Sequence, residues 1–347
     1  KVGEEYYVLE SNNREEKIKD IVKWADKTEE GNYKTNYYNL LYYRELVKEN
    51  GIKYKGNKLY NELDEDITKD NLMKKVEMPL EIQTTLRDYQ KEGFYWLKFL
   101  ERYYFGGILA DDMGLGKTLQ TLTLLKSTNR KKPSLIICPR TLIYNWGEEI
   151  KKFFPEMKFM VYYGTPDERI KMQESFHEND IIITSYSTGS RDVEDLNKYK
   201  FLYCILDEAH HIKNRRTKRA KGVKKIKAKH KLALTGTPLE NSLEELWSIF
   251  DFIMPGYLGK FSSFNKKYLN PINKENDRKK LDELKKRISY FVLRRKKEDV
   301  LKDLPEKLLN IHKVEMTKVQ EETYQMILDE VKNDLVNIVN KKGFNKS

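Results

Sequence analysis

The chain has 347 residues, of which 39% are apolar and 35% are charged. This length suits one large or two ordinary domains, and the apolar fraction is enough for a buried core, which excludes wholesale disorder. No apolar run approaches the roughly 18 residues of a membrane span, so the sequence also excludes an integral membrane protein. The two cysteines, Cys138 and Cys204, lie in apolar runs, which predicts buried thiols in a reducing, cytoplasmic setting without a disulfide framework or a zinc site.

The net charge of +12 at pH 7 points towards an anionic partner. Most of the excess comes from lysine, and an AT-rich coding genome would produce the same bias. The net charge alone therefore neither establishes nor excludes nucleic-acid binding, so the assignment depends on the motifs.

Residues 1–80 are strongly polar and carry no chemical signature. They lack a signal-peptide hydrophobic region and do not begin with Met, so we expect the sequence to be a piece of a longer protein. An amphipathic stretch at 37–49 predicts a helix, and the charged stretch at 62–70 predicts coil. Pro79 then marks a boundary, which makes residues 1–80 a small accessory segment.

From residue 86 onwards, short apolar runs alternate with helical patterns. Runs rich in Val, Ile, Leu, Phe or Tyr, with little polar alternation, are typical of strands buried on both faces of a parallel sheet. Their alternation with helices, as at 118–126 and 142–153, predicts a doubly wound α/β domain. The predicted strands are residues 107–110, 135–138, 159–163, 181–184, 201–206 and 232–235.

Beyond about residue 251 the strand pattern stops. Charged helical patterns fill residues 261–288. Apolar positions within 319–339 recur at helical spacing, which predicts an amphipathic helix.

The string Gly107-Ile-Leu-Ala-Asp-Asp-Met-Gly-Leu-Gly-Lys-Thr118 has the layout of a phosphate-binding loop, with a strand, a glycine turn and the start of a helix. Its two inner glycines would let backbone N–H groups point inward, and the helix N-terminus adds partial positive charge. Lys117 would reach the β- and γ-phosphates, and the Thr118 hydroxyl would bind Mg²⁺. The first glycine of the usual pattern is replaced by Asp111.

The string Phe201-Leu-Tyr-Cys-Ile-Leu-Asp-Glu-Ala-His210 delivers two carboxylates to the C-terminal end of a strand, where ligands bind in open α/β sheets. Asp207 is placed to hold Mg²⁺ through water, and Glu208 to orient and deprotonate an attacking water. Alone, the pair would also fit a helix cap and a solvated charge; beside the lysine loop, the catalytic interpretation is favoured. His210 and His211 are adjacent and do not suit two metal ligands on one helix face.

Two weaker patterns accompany these motifs. Thr235-Gly-Thr237 ends a buried strand, and its hydroxyls would sense the γ-phosphate through the neighbourhood of His210, although a plain strand-ending turn explains the same residues. Gln90 lies where an amphipathic helix begins and would read an adenine edge, because an amide both donates and accepts. A helix start explains Gln90 equally well.

Residues 212–231 contain eleven Lys or Arg and no acid. Ala220, Val223 and Ile226 share one side at helical spacing, which leaves a basic outer face. Binding to the DNA backbone and a solvated charged face are equal alternatives for this segment.

Taken in chain order, these motifs resemble the Swi/Snf (sucrose non-fermenting) family of superfamily-two helicase-like ATPases over roughly residues 80–306. The strings Asp112-Met-Gly-Leu-Gly-Lys-Thr118 and Thr235-Gly-Thr-Pro-Leu-Glu-Asn241 are highly specific to that family, and Asp111 is itself a family feature. The stretch 40–63 more loosely resembles the accessory segment of bacterial members. Further matching strings are Leu86-Arg-Asp-Tyr-Gln-Lys-Glu-Gly93, Asn145-Trp146, Thr184-Ser-Tyr186, Asp207-Glu-Ala-His-His-Ile-Lys-Asn214 and Phe291-Val-Leu-Arg-Arg-Lys296.

The resemblance implies an α/β, three-layer RecA-like lobe that binds ATP and Mg²⁺. It implies that the whole enzyme couples hydrolysis of ATP to ADP and phosphate with movement along duplex DNA, usually without strand separation. For Tyr186, simple packing remains an alternative to DNA contact. The implied residues are Lys117, Asp207 and Glu208 for catalysis; Thr118 and Asp207 for Mg²⁺; Arg87, Gln90, Asp112, Met113, Gly114, Leu115, Gly116, Lys117, Thr118 and Leu119 for ATP; His210, Thr235, Gly236 and Thr237 for coupling; and Pro139, Arg140, Asn145, Thr184, Ser185 and Tyr186 for DNA.

A motor of this family needs a second RecA-like lobe that supplies an arginine to the transition state. The stretch after residue 307 is too short for another α/β lobe, so we expect the first lobe with its flanks, nearly inactive alone. The expected parts are residues 1–80 (accessory segment), 81–250 (ATP-binding lobe), 251–305 (helical protrusion) and 306–347 (connector helix).

The implied partners are the phosphate backbone of duplex DNA, read without sequence specificity in the nucleoid, and the second lobe. A protein substrate on DNA stays open. Two alternative functions remain, a strand-separating DNA or RNA helicase and a non-catalytic, nucleotide-dependent scaffold. Retention of Glu208 opposes the scaffold, which has no need of a water-activating carboxylate.

Overall fold

A computed structural model of the chain describes residues 8–9, 26–27, 33–34, 37–49, 51, 54–55, 58–68, 76–83, 85–128, 132–236, 242–300 and 314–342. The chain divides into two compact units, residues 1–301 and residues 302–347. In the second unit the structure describes the helix Lys318–Lys342, where the sequence predicts an amphipathic helix.

The centre of the first unit is a seven-stranded sheet in which every neighbouring pair of strands is parallel. Every residue of two of its inner strands, Ser134–Cys138 and Ile181–Ser185, is buried, so helices and loops cover both faces there, as continuous apolar runs predict. Two antiparallel two-residue pairs, β1 with β4 and β2 with β3, precede the sheet. The strands are β1 (Val8–Leu9), β2 (Asp26–Lys27), β3 (Tyr33–Lys34), β4 (Tyr54–Lys55), β5 (Gly107–Leu109), β6 (Ser134–Cys138), β7 (Phe159–Val161), β8 (Ile181–Ser185), β9 (Phe201–Leu206), β10 (Ala228–Leu234) and β11 (Val292–Leu293).

From one edge to the other the sheet runs β11, β5, β10, β9, β6, β8 and β7. The six strands predicted from the sequence all occur, and β10 begins four residues earlier than predicted. The seventh strand, β11, has no sequence signal because two apolar residues are too few to show a period. It pairs with β5, with Val292 beside Ile108.

Helices connect the strands and bury their apolar faces on the sheet. The helix Asp88–Arg102 illustrates why, since Phe94, Leu97 and Leu100 recur at helical spacing and are at most 1% exposed. The other α-helices of the first unit are Leu40–Glu49, Lys58–Thr68, Leu80–Gln83, Lys117–Ser127, Ile143–Phe153, Pro166–Glu174, Tyr186–Arg191, Val193–Leu196, Lys218–Lys224, Leu243–Ile253, Phe261–Phe264, Asn270–Glu275, Arg278–Ile288 and Lys297–Val300, with a π-helical turn at Asn265–Leu269.

The prediction of coil at 62–70 is wrong for the described residues, because they continue the helix Lys58–Thr68. Leu63 is fully buried, and three residues later the Asp66 carboxylate accepts a 2.7 Å hydrogen bond from the Tyr103 hydroxyl. One apolar and one acidic side chain therefore dock this helix on the core. Because acidic residues surround Leu63 and Asp66 in the sequence, a hydropathy pattern does not reveal the buried face of this helix.

The N-terminal part of the chain packs on the same core as the sheet. Tyr37 stacks on Phe105 with ring centroids 5.3 Å apart, and Arg287 donates a 2.8 Å hydrogen bond to the Asn39 side chain. The boundaries expected at residues 80, 250 and 305 stay predictions.

Both thiols are buried and free, as predicted, and burial raises the pKa of Cys138 and of Cys204 to about 12. Among the residues that the structure describes, no helix combines the length and apolarity needed to cross a membrane.

Candidate nucleotide-binding site

The phosphate loop runs from the end of β5 to the start of the helix Lys117–Ser127. Gly114 and Gly116 adopt left-handed backbone angles, with φ of 85° and 77°, which other residues rarely adopt. The Lys117 ammonium donates to two carbonyl oxygens of the loop, at 2.7 Å from that of Asp111 and 3.3 Å from that of Asp112. The loop therefore curls around its own lysine, the geometry that a phosphate cradle needs.

The Lys117 ammonium interacts electrostatically with carboxylates that follow two different strands. Burial lowers the pKa of Lys117, and the charges of Glu208, Asp111 and Asp207 oppose that shift. Three residues that the sequence assigns to catalysis, Lys117, Asp207 and Glu208, thus interact electrostatically at the carboxyl edge of the sheet.

The Asp207 carboxylate is 9% exposed and held by two donors. The indole Nε1 of Trp146 donates to Oδ2 at 2.8 Å, and the backbone N–H of Glu208 donates to Oδ1 at 2.9 Å. Burial raises the pKa of Asp207, and these hydrogen bonds counter the shift. The two hydrogen bonds fix the direction of the carboxylate.

Glu208 occupies a strained backbone conformation. Its φ is 52°, a left-handed angle that costs a non-glycine residue on the order of 1 kcal/mol or more. Its Oε2 lies 3.2 Å from Nδ1 of His210, whose ring stacks on His211 at 4.7 Å. Strain of this kind persists where surrounding contacts over-determine it, as they do here.

Tyr186 contacts the same cluster from the start of the helix Tyr186–Arg191, which follows β8. Its hydroxyl donates to the Asp207 carbonyl oxygen at 2.8 Å, and its ring stacks on His211 at 5.1 Å. Trp146 and Tyr186 thus hold the carboxylate pair from the side, a role that sequence reasoning missed. A buried indole N–H needs an acceptor, so the apolar context of Trp146 is the one signal that could have found it.

The strand end after β10 lies directly against the phosphate loop. Thr235 is buried and its backbone N–H donates to the Leu109 carbonyl at 3.1 Å. A Cβ on Gly236 would lie 2.8 Å from Cγ of Met113, so any larger residue there would displace the Met113 side chain of the loop. Thr237 lies outside the described residues.

Gln90 packs against the loop as well. Its amide donates to the Leu115 carbonyl at 3.2 Å and accepts from the Arg87 backbone N–H at 2.9 Å. Leu115 and Leu119 are buried below the loop, whereas Met113 is 69% exposed above it. The residues predicted for ATP binding that the structure describes therefore surround one loop.

The residues predicted for DNA contact separate into two groups. Thr184, Ser185 and Tyr186 are at most 3% exposed, and their hydroxyls are engaged inside the protein. For Tyr186 this is the packing alternative that the sequence leaves open. Arg140 and Asn145 are exposed and Pro139 is half-buried beside them.

The donor set fits a nucleotide with Mg²⁺. The Asp207 carboxylate has about four acceptor sites, of which the two hydrogen bonds above use two. Within the described residues no group of three or more His, Cys, Asp or Glu could hold a metal by itself. Mg²⁺ would suit such a site, because it is commonly held by one or two protein oxygens together with substrate phosphates.

A strand, glycine loop and helix, with an acidic pair at the end of β9, two strands away in the same parallel sheet, define a P-loop nucleotide-binding lobe of the RecA-like type. The sequence model of the SNF2-related domain matches residues 89–346. That match spans most of the chain, so the chain belongs to the SNF2 family of ATP-dependent, helicase-like DNA enzymes.

Relatives with curated names agree with this assignment. The TATA-binding protein-associated factor MOT1 of Saccharomyces cerevisiae is 42% identical over 286 residues, covering 75% of this chain and 15% of that protein. The putative ATP-dependent helicase/translocase YwqA of Bacillus subtilis is 38% identical over 285 residues, covering 80% of this chain and 31% of that protein. The chain thus spans less than a third of the length of either relative.

A solved structure shows the same fold. The Sulfolobus solfataricus SWI2/SNF2 ATPase core in complex with dsDNA superposes with a TM-score of 0.59 and 42% sequence identity, covering 75% of this chain and 55% of that chain. The predicted family and the predicted RecA-like fold are both confirmed.

Proposed function

We propose that this chain is the ATP-binding first lobe of a double-stranded DNA translocase or remodeller. The observation that carries the proposal is the meeting of Lys117 with the Asp207–Glu208 pair at one edge of a parallel sheet. Lys117 lies after β5, whereas Asp207 and Glu208 both follow β9, so two separate strand ends bring one cation and two carboxylates together. Such a cluster of interacting charged groups is a candidate functional site.

The proposed residue roles follow from the geometry. Lys117 and the loop N–H groups bind phosphate oxygens, while Thr118 and Asp207 hold Mg²⁺. Bound MgATP would supply the phosphoanhydride bond that is broken. Glu208, held by its strained backbone and near His210, orients the attacking water and accepts its proton.

The remaining roles concern recognition and coupling. Gln90 would turn its amide towards adenine. Thr235, Gly236 and Thr237, with His210, would report the state of the γ-phosphate to neighbouring elements.

Duplex DNA is the molecule along which we propose that the longer protein moves. One relative is a putative ATP-dependent helicase/translocase and the solved ATPase core is bound to dsDNA, which supports duplex DNA as the partner. Arg140 and Asn145 are the exposed candidates for phosphate contacts, which position a protein without reading sequence. The name of the yeast relative supports a protein substrate on DNA as a further possibility for the longer protein.

A complete active site would include an arginine from a second lobe. Without it we expect slow turnover, because such an arginine contributes about 10³- to 10⁵-fold in other phosphoryl-transfer enzymes. The first lobe alone would then bind nucleotide and hydrolyse it very slowly.

The deciding experiment measures the ATPase rate of the longer protein alone and with duplex DNA, single-stranded DNA or RNA. We expect strong stimulation by blunt duplex DNA that Glu208→Gln abolishes, while the exposed control Glu148→Gln leaves it unchanged. Stimulation mainly by single strands or RNA, with strand displacement on forked substrates, would instead favour the helicase. No turnover under any condition would refute the proposal.

A further inference from the structure

We propose that Arg295 is a positioning residue of the phosphate loop, through a buried ion pair with Asp111. The segment 292–297 thereby becomes part of the nucleotide site although it lies 184 residues further along the chain. Its effect on nucleotide affinity rests on the proposed function, whereas its effect on the loop itself does not.

The ion pair has the geometry of a fork. Arg295 Nε donates to Oδ1 of Asp111 at 3.0 Å, and the terminal NH2 nitrogen donates to Oδ2 at 2.5 Å. The side chains are 10% and 0% exposed. A bidentate pair between a guanidinium and a carboxylate is stronger and more directional than a single contact.

Three further groups contact the Arg295 guanidinium, and together with Asp111 they form the Arg295 network. Arg295 donates to the Gln120 side chain at 2.8 Å and to the Tyr89 carbonyl, and its guanidinium lies 5.1 Å from the Tyr89 ring centroid. A Cβ on Gly93 would lie 1.9 Å from the Gln120 amide oxygen, so the neighbouring helix leaves space only because it has glycine there. The helices on both sides of the loop are thus tied to one guanidinium.

Backbone bonds fasten the same segment to the loop. The N–H of Ala110 donates to the Leu293 carbonyl at 2.7 Å, and the N–H of Asp112 donates to the Arg295 carbonyl at 3.0 Å. In return the N–H of Lys297 donates to the Asp112 carboxylate at 3.0 Å. The first three loop residues therefore take their positions from β11 and the residues that follow it.

The departure from the usual loop pattern now has a physical reason. A glycine at position 111 would leave the first turn of the loop with its backbone bonds to the segment 292–297 but without a side-chain anchor there. Asp111 provides one, and a fully buried carboxylate is tolerated because Arg295 neutralises it. Removing either partner leaves the other buried without its opposite charge, so the first turn of the loop would be held less firmly.

The test uses the 347-residue chain, with amide hydrogen exchange and binding of a fluorescent ATP analogue with Mg²⁺ as two readouts. In Arg295→Gln we expect exchange at residues 110–116 to rise at least about tenfold and affinity to fall at least about tenfold. Lys296→Gln is the matched control, because it removes the same charge from an exposed side chain that pairs with Glu298. Both readouts should stay within about twofold there.

Two more variants separate positioning from general stability. Arg295→Lys keeps the charge and loses the fork, so it should give an intermediate effect in a folded protein. Asp111→Asn combined with Arg295→Gln should cost no more than either change alone, since both remove one interaction.

Unchanged loop exchange in Arg295→Gln, additive effects in the double variant, or equal exchange increases throughout β6 and β8 would each overturn the inference. If the unmutated chain binds no nucleotide, the proposed function falls, and loop exchange in Arg295→Gln still decides the role of Arg295.

Discussion

The two ends of the parallel sheet bury ionisable groups in opposite ways. At the carboxyl end, the half-buried Lys117 ammonium donates to loop carbonyls and the buried Asp207 carboxylate accepts from an indole N–H, so polar partners are aimed at both groups. At the amino end, His230 of β10 lies between Tyr203 and Tyr104, with ring centroids 4.9 and 5.4 Å away. Burial lowers the pKa of His230 to about 4, helped by the charge of Lys229, so this ring stays neutral.

This contrast shows that burial alone does not mark a functional site. Both ends contain a strained non-glycine residue, Glu208 with φ of 52° and Tyr104 with φ of 55°. Only the carboxyl end combines strain with carboxylate oxygens that retain acceptor capacity. The amino end stabilises an uncharged ring by stacking and gives it no task in catalysis.

The largest expected effect is on nucleotide affinity. Lys117→Ala removes the charge that would contact the β- and γ-phosphates, so affinity for an ATP analogue should fall at least about 100-fold. Fluorescence titration measures it, with the exposed Lys151→Ala as control. If Lys117→Ala bound the ATP analogue as tightly as the unmutated chain, the carboxyl end of the sheet would no longer differ from the amino end in function.

Trp146→Phe should destabilise the protein by about 3 kcal/mol, because it leaves the buried Asp207 carboxylate without one donor. Trp247→Phe is the matched control, since its indole donates to a neutral carbonyl, that of Gly259, at 3.1 Å. Urea denaturation at pH 8 should give a cost about 1 kcal/mol smaller for the control. Equal costs would show that the charge of Asp207 does not matter to this contact.

At the amino end, His230→Phe should remove a pH dependence. Because the folded pKa of His230 is depressed to about 4 from 6.5, its stabilisation is present above pH 6.5 and is lost as pH falls towards 4. The unmutated chain should therefore lose about 2 kcal/mol of unfolding free energy between pH 7.5 and pH 5 relative to the variant. If both proteins lost the same free energy of unfolding over this pH range, a group other than His230 would cause the pH dependence.

The smallest effect concerns Lys229, which is exposed and lowers the pKa of His230 by its charge. Lys229→Gln should move the acid midpoint of His230 upward by about 0.5 pH unit or less, because water and salt screen exposed charges. NMR titration of the ring would measure it, with the exposed Lys227→Gln as control. A shift as large for Lys227→Gln would mean that overall charge, and not the neighbour, sets the pKa.

The sequence predicts most of the carboxyl end, because its strands are continuous apolar runs and its loop has a fixed spacing. It does not predict the role of Trp146 or the bond from Arg295 to Asp111, since a contact across 184 residues leaves no local pattern. The helix at Lys58–Thr68 was missed because its buried stripe includes an acid, Asp66, whose partner Tyr103 lies far along the chain. The burial of Thr184, Ser185 and Tyr186 has no local sequence signal either, and their contact with DNA stays a prediction.

The position of β11 has a consequence for biosynthesis. The phosphate loop takes its anchor from residues that leave the ribosome 184 positions after Asp111. At about 5–20 residues per second, this delay is on the order of 10 to 40 seconds. During that time β5 is an unpaired edge of the nascent sheet, exposed to pairing with other chains. Truncation before residue 292 should therefore produce a lobe that aggregates during synthesis, however complete its motifs are.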